Sequence, residues 1–110
     1  MDQLTIQEKV GANYMLLELS GAIKAYTVPN LKEKIDRYIL DTNIVLDLQS
    51  VTGFDSAGMS VILAGITSAE EFGTKLFLME PSDAARHALE RTGFWDSFDI
   101  IHSVTEVSNV

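Results

Sequence analysis

Cysteine is absent from this chain of 110 residues, and proline occurs only twice. The absence of cysteine excludes disulfide bonds, thiolate metal sites and cysteine nucleophiles, and it agrees with a reducing compartment such as the cytoplasm. No proline-rich, glycine-rich or low-complexity segment marks a linker, and no internal repeat is present. The length suits one domain, so we expect a single domain over residues 1–110.

Basic residues are few: 8 lysines and arginines stand against 16 aspartates and glutamates, for a formal net charge of -8. They are scattered, whereas binding to nucleic acid or to an anionic membrane requires clustered positive charge. The longest uncharged stretch, which includes Ala57 to Ala69, is too short to span a bilayer. Met1 to Val10 lacks the pattern of a signal peptide. We therefore expect a soluble cytoplasmic protein that binds neither nucleic acid nor membrane.

Predicted strands and helices alternate along the chain, which is typical of an α/β domain. Strands are predicted at Leu4–Val10, Tyr14–Leu19, Asn43–Leu48, Lys75–Met79 and Ile100–Ile101. Helices are predicted from Thr27 to about Ile39, from Asp55 or Ser56 to about Phe72 and from Pro81 to Thr92, with a short frayed one at Ser103–Val110. An initial antiparallel hairpin and right-handed crossovers then give a mostly parallel sheet with an antiparallel edge strand and helices packed against it.

Several finer expectations follow from the same pattern. Thr27 is expected to cap the first helix, and Gly73 to end the second. The second helix is apolar almost all round at Met59–Ile66, so we expect most of it to be buried. The segment Gln49–Phe54, between the third strand and this helix, is expected to be a loop.

An aromatic cluster near the C-terminus is expected to close the core. It consists of Phe94, Trp95 and Phe98. Gly93 followed by Phe94 predicts a Schellman ending of the third helix, in which Phe94 packs back on Leu89.

The most informative segment is the turn Asp55-Ser56-Ala57-Gly58, which joins a buried strand to an apolar helix. A serine at a helix N-terminus faces free backbone N–H groups at the positive end of the helix dipole. A phosphate there would be accommodated locally and would add about 1.5 to 2 negative charges. Ala57 and Gly58 are small, which leaves room for another protein to approach. Taken alone, however, Asp55 or Ser56 could simply be the N-cap of the helix.

Through this turn and several other segments, the sequence resembles the STAS family and, within it, the bacterial anti-sigma factor antagonists. The matching segments cover nearly the whole chain. They are Leu19-Ser20-Gly21, Val45 to Thr52, Phe54 to Met59 with the apolar helix that follows, Lys75 to Leu78, and Leu89 to Phe94.

The resemblance implies a protein-level switch with no chemistry of its own and no cofactor. In such proteins the serine matching Ser56 is phosphorylated by an anti-sigma factor, which is an ATP-dependent serine kinase. The unphosphorylated antagonist binds that kinase and frees the sigma factor, and a phosphatase resets the switch. The free protein is expected to be a monomer. The partner-binding residues are expected to be Lys24, Ala25, Asp55, Ser56, Ala57, Gly58 and Met59.

Lys24 departs from the family pattern, in which an acidic residue is common at this position. The loop that carries it is expected to lie near the phosphorylation site. Lys24 then either pairs with Asp55 or with a phosphate on Ser56, or is a solvated surface lysine. An alternative function is a STAS accessory or scaffold subunit of a larger complex, stressosome-like or for lipid transport, whose binding is insensitive to phosphorylation.

The features of an enzyme are missing from the sequence. His87 and His102 are far apart and have no metal-type spacing, and Ser56 is not in a Gly-x-Ser-x-Gly elbow. Glycine-rich phosphate loops are absent. The sequence lacks the acidic pair that a receiver domain requires beside its phosphorylated aspartate, so Asp47 is not expected to have that role. We expect Asp47 to form hydrogen bonds in the following loop instead. These observations favour a binding module over an enzyme.

Overall fold

A computed structural model describes residues 3–109 of the chain. The strands are β1 (Leu4–Val10), β2 (Tyr14–Ile23), β3 (Asn43–Phe54), β4 (Leu76–Met79) and β5 (Asp99–Ile101). The α-helices are α1 (Val28–Tyr38), α2 (Ser56–Phe72) and α3 (Asp83–Arg91), and short 3-10 helices lie at Trp95–Ser97 and Val104–Asn109. The strands lie side by side in chain order, with β1 antiparallel to β2 and every other pair parallel. The predicted fold class and strand directions are confirmed.

The three central strands are covered on both faces, which explains their nearly continuous apolar sequences. One face packs against the α-helices through a large cluster of buried side chains, among them Leu17, Leu19, Ile44, Leu46, Leu48, Leu76 and Leu78. The other face packs beneath the C-terminal 3-10 helix through Leu16, Val45, Phe77, Ile101 and Val107.

The predicted frayed helix at the C-terminus is a 3-10 helix over Val104–Asn109 that is anchored by the side chain of Val107. Val107 is fully buried. The carboxylate of Glu106 accepts hydrogen bonds from the backbone N–H groups of His102 and Ser103, which lowers the pKa of Glu106. Val110, the last residue of the predicted helix, lies outside the described residues.

The first helix packs one face against the core, since Leu31 and Ile35 of α1 and the adjoining Ile39 are almost fully buried. Thr27 occupies the N-cap position, but its side chain does not cap the helix. Its hydroxyl instead accepts a hydrogen bond from the N–H of Lys24 and donates to the carbonyl of Ala22. Thr27 therefore holds the loop between β2 and α1 in a fixed shape.

Both β2 and β3 are longer than predicted. The segment Gln49–Phe54 is not a loop but the second half of β3, and it pairs with Ser20–Ile23 of β2. Two irregularities of register, one between Glu18 and Ser20 and one between Gly21 and Ala22, interrupt the pairing. Such bulges obscure the alternation by which a strand is recognised in a sequence, which is why the extension was not predicted.

The second helix is less buried than its composition predicted. It ends as expected at Gly73, whose φ of 75° is in the left-handed region. Its buried positions are only Gly58, Ile62, Gly65 and Ala69. Other apolar side chains on it, such as Met59 and Leu63, are only partly covered. Part of the apolar surface of α2 therefore faces outward.

The aromatic cluster forms only in part. Phe98 is buried in the core and Trp95 packs partly against it, with the guanidinium of Arg86 5.1 Å from the Trp95 ring centroid. Phe94 is 57% exposed and is not among the residues of the core cluster, so the expectation that it helps to close the core was wrong. Gly93 does have the positive φ, 80°, that the helix ending predicts. Over residues 3–109, no helix is long and apolar enough to cross a membrane.

Candidate functional site

The candidate site lies where the paired strands β2 and β3 end together. Ile23 and Phe54 are the last partners of this parallel ladder, and the N–H of Asp55 donates to the carbonyl of Ile23 at 3.3 Å. The residues that follow each strand therefore meet at one edge of the sheet. This brings the loop that contains Lys24 and Ala25 beside the start of α2, as the sequence predicted.

Asp55 joins these two segments through its carboxylate. Its Oδ1 accepts a hydrogen bond from the N–H of Gly58 at 2.9 Å, and its Oδ2 accepts one from the N–H of Ala25 at 3.0 Å. Asp55 is thus the N-cap of α2, which decides between the two caps that the sequence left open. The bond from Gly58, then that from Ala25, lowers the pKa of Asp55, with smaller contributions from Ala57 and the Lys24 charge.

Ser56 is left free by this arrangement. It is the first residue of α2 and is exposed. Its carbonyl accepts a hydrogen bond from the hydroxyl of Ser60, one turn further along, at 2.9 Å. Its own hydroxyl is engaged by no hydrogen bond from residues 3–109. A free hydroxyl at a helix N-terminus is open to a modifying enzyme and lies where a negative charge is tolerated.

Gly58 is needed for the close approach of α2 to β2. A Cβ atom on Gly58 would lie 2.1 Å from the carbonyl oxygen of Ile23. Gly58 is buried and Ala57 is partly buried, so these two residues fix the position of Ser56 rather than forming an open surface themselves. Met59, the last predicted contact residue, is partly exposed.

Lys24 is partly buried and lies on the same side of the site as Asp55. A Cβ atom on Gly53 would lie 3.4 Å from Cε of Lys24, so the lysine side chain extends along the end of β3. Its charge contributes to the lowered pKa of Asp55. Lys24 is therefore not a fully solvated lysine, and its charge acts on Asp55.

A groove of about 310 Å³ opens beside Ser56, between the first turns of α2 and the last turn of α3. Its lining is Phe54, Asp55, Ser56, Met59, Ser60, Leu63, Ala88, Arg91 and Thr92. Sequence reasoning included only Asp55, Ser56 and Met59 among site residues. The α3 residues were missed because their proximity depends on tertiary packing, with no local signal.

One exposed aromatic residue beside the site was also missed. Tyr26 follows Ala25 in the loop and is 60% exposed. Exposed tyrosines are favoured anchors in protein interfaces. Tyr26 was missed because nothing in the sequence pattern shows that its side chain is exposed.

The residues considered for catalysis are not brought to this site. His87 and His102 are both exposed, and within residues 3–109 no group of three His, Asp or Glu side chains is placed to hold a metal ion. Asp47 lies in the middle of β3, where its Oδ1 accepts a hydrogen bond from the N–H of Gln49. That bond was predicted, although Gln49 belongs to the strand.

Known proteins resemble this chain in sequence and in fold. A sequence model of the STAS domain matches residues 3–107. The anti-sigma-B factor antagonist of Listeria monocytogenes is 34% identical over 84 residues, which cover 74% of each chain. An anti-sigma factor antagonist from Mycobacterium paratuberculosis has the same fold, with a TM-score of 0.79, 22% identity and coverage of 96% of this chain and 92% of that one. The Bacillus cell fate determinant SpoIIAA in its phosphorylated form gives a TM-score of 0.72 at 19% identity, with coverage of 94% and 96%.

Proposed function

This chain belongs to the STAS domain family, and we propose that it is a bacterial anti-sigma factor antagonist whose binding is switched off by phosphorylation of Ser56. In its unphosphorylated form it binds an anti-sigma factor that is also a serine kinase, and the sigma factor is released. A phosphatase restores the binding form. The protein acts in the cytoplasm by binding and not by catalysis.

One observation carries this proposal. The carboxylate of Asp55 fixes the start of α2 against the β2–α1 loop and leaves the neighbouring Ser56 hydroxyl exposed and unbonded. A kinase requires such a reachable hydroxyl, and a partner requires a fixed surface around it. The curated relative at 34% identity is named as an anti-sigma-B factor antagonist, which supports the same assignment.

The contact surface is proposed to combine the start of α2 with the β2–α1 loop. Its members at the surface are Lys24, Ala25, Asp55, Ser56, Ala57 and Met59, and we add Tyr26 because it is exposed beside them. Gly58 is buried and contributes by setting the position of α2. A partner packed over Ser56 would have to accommodate a phosphate carrying about 1.5 to 2 negative charges. Burying that charge or separating the surfaces costs several kcal/mol, and about 1.4 kcal/mol already weakens binding tenfold.

The first test is intact mass spectrometry after incubation with ATP, magnesium and the anti-sigma kinase of the same genome. We expect one added phosphate on the wild type and none on Ser56→Ala. Ser60→Ala is the matched control, since Ser60 lies one helical turn away and is also exposed. It should accept the phosphate as the wild type does.

Two outcomes would contradict the proposal. Phosphate on Ser56→Ala would place the modified residue elsewhere. No phosphate on any variant, with the kinase shown to be active on another substrate, would favour the alternative of an accessory or scaffold subunit that does not switch.

A further inference from the structure

Arg91 is a basic residue of the groove lining to which the proposed function gives no role. It lies in the last turn of α3 and lines the same groove as Ser56. Most other basic side chains are paired with a carboxylate, namely those of Lys9, Lys32, Lys34, Arg37 and Arg86. Within residues 3–109 the guanidinium of Arg91 has no carboxylate partner and no hydrogen bond. Its positive charge is therefore not engaged in an ion pair within the described residues.

Lys24, the other basic residue near the site, is placed differently. It is not part of the groove lining, and its side chain extends beside Gly53. Its charge already acts on Asp55. Arg91 is therefore the cation on the groove side of Ser56, and Lys24 is the cation on the loop side.

We propose that Arg91 binds the phosphate on Ser56 across the groove. This inference rests on the proposed phosphorylation of Ser56. A guanidinium is suited to the contact because it binds phosphate oxygens through two parallel hydrogen bonds, and its long side chain can reach a group on a neighbouring helix. The two residues already line the same groove.

The contact changes how phosphorylation blocks a partner. A phosphate bound between α2 and α3 would occupy part of a groove whose lining includes the apolar side chains of Phe54, Met59 and Leu63. The phosphorylated protein would then offer a partner less of this groove as a docking surface, in addition to presenting an unfavourable charge. The switch would work by occlusion as well as by repulsion.

The test measures the pKa of the phosphate directly. Phosphoserine is installed at position 56 during translation, so that no kinase is needed, and its second ionisation is followed by phosphorus NMR. That pKa is near 6 for an isolated phosphoserine, and a nearby cation lowers it. We expect Arg91→Gln to raise it by about half a pH unit relative to the wild-type background. Arg91→Lys, which keeps the charge, should raise it less.

Two further variants make the result specific. Lys24→Gln should change the phosphate pKa less than Arg91→Gln does. Lys75→Gln removes the same charge from an exposed position outside the groove lining and should leave the pKa unchanged. Circular dichroism should show the same fold for all variants, since Arg91 and Lys75 are exposed.

Equal pKa values in the wild-type and Arg91→Gln backgrounds would overturn the inference. A larger effect of Lys24→Gln would overturn it in favour of Lys24 as the phosphate partner. Neither result would affect the proposed function, which is decided by the mass measurement with the kinase.

Discussion

At the scale of single residues, Asp55 is the residue on which the geometry of the site depends. Its two carboxylate oxygens hold Gly58 of α2 and Ala25 of the preceding loop at the same time. An asparagine could keep the cap, but its amide NH2 group cannot accept the second hydrogen bond. We expect Asp55→Asn to lower the free energy of unfolding at pH 7, as measured by urea denaturation.

The effect of this change should depend on pH. The pKa of Asp55 is lowered in the folded protein, chiefly by the hydrogen bonds from Gly58 and Ala25. Its contribution to stability is therefore present above the unfolded pKa of about 3.9 and is lost as the pH falls through the lower folded value. The difference between wild type and Asp55→Asn should shrink below about pH 4. Asp41→Asn is the control, because Asp41 is exposed and its side chain accepts no hydrogen bond from residues 3–109. A difference that is the same at pH 3 and pH 7 would contradict this account.

Gly58 sets the distance between α2 and β2. Because an added Cβ would lie 2.1 Å from the Ile23 carbonyl oxygen, α2 would have to move away from the strand. We expect Gly58→Ala to lower the free energy of unfolding by about 1–3 kcal/mol, in the range typical of overpacking. Gly53→Ala is the control, since a Cβ there meets only the Lys24 side chain, with Cε at 3.4 Å. Similar losses in the two variants, measured by urea denaturation, would show that the close approach is not the cause.

At the scale of secondary structure, the boundaries of helices and strands were predicted best where a local sequence signal marks the end of the element. Gly73 ends α2 with a positive φ, as the glycine predicted. The ends of β2 and β3 were missed because strand pairing is not local, and here it crosses two irregularities. The missed segment proved decisive for the site, since it carries Phe54 to its place beside Ile23.

The burial of α2 was overestimated for a related reason. Apolar composition predicts which helices can pack but not how much surface the rest of the domain can cover. The sheet, α1 and α3 leave Met59 and Leu63 partly exposed beside Ser56. Exposed apolar surface is typical of protein interaction sites, and composition alone did not indicate that α2 would leave such a surface uncovered.

At the scale of the whole molecule, only one of the two parts of the candidate site was predicted. The β2–α1 loop and the start of α2 were placed together from the resemblance to a family, and the structure joins them through Asp55. The contribution of α3 was not predicted, because the resemblance that placed the other two segments together implied no site residue in α3. Arg91 and Ser56 come to line one groove only in the folded chain, and no periodicity within either helix signals that arrangement.

The charge of the whole molecule bears on the remaining prediction, which concerns partner binding. A chain with a net charge of -8 already repels acidic surfaces, so an added negative charge could weaken binding from any position. The proposed switch requires instead that the weakening of partner binding depends on where the negative charge is added, with the strongest effect at position 56. We expect Ser56→Asp to weaken binding to the anti-sigma factor at least about tenfold, measured by calorimetric titration, with an unchanged circular dichroism spectrum.

The matched control is Ala12→Asp, which adds the same charge at an exposed bend between β1 and β2, at the opposite end of β2 from the site. Its effect should be small and should disappear at high salt, because exposed charges further apart than about 10 Å are screened at 0.1 M ionic strength. The effect of Ser56→Asp should persist, because a charge covered by the partner is screened much less. Equal weakening by both variants would mean that net charge alone governs the association and that Ser56 has no special place in the interface.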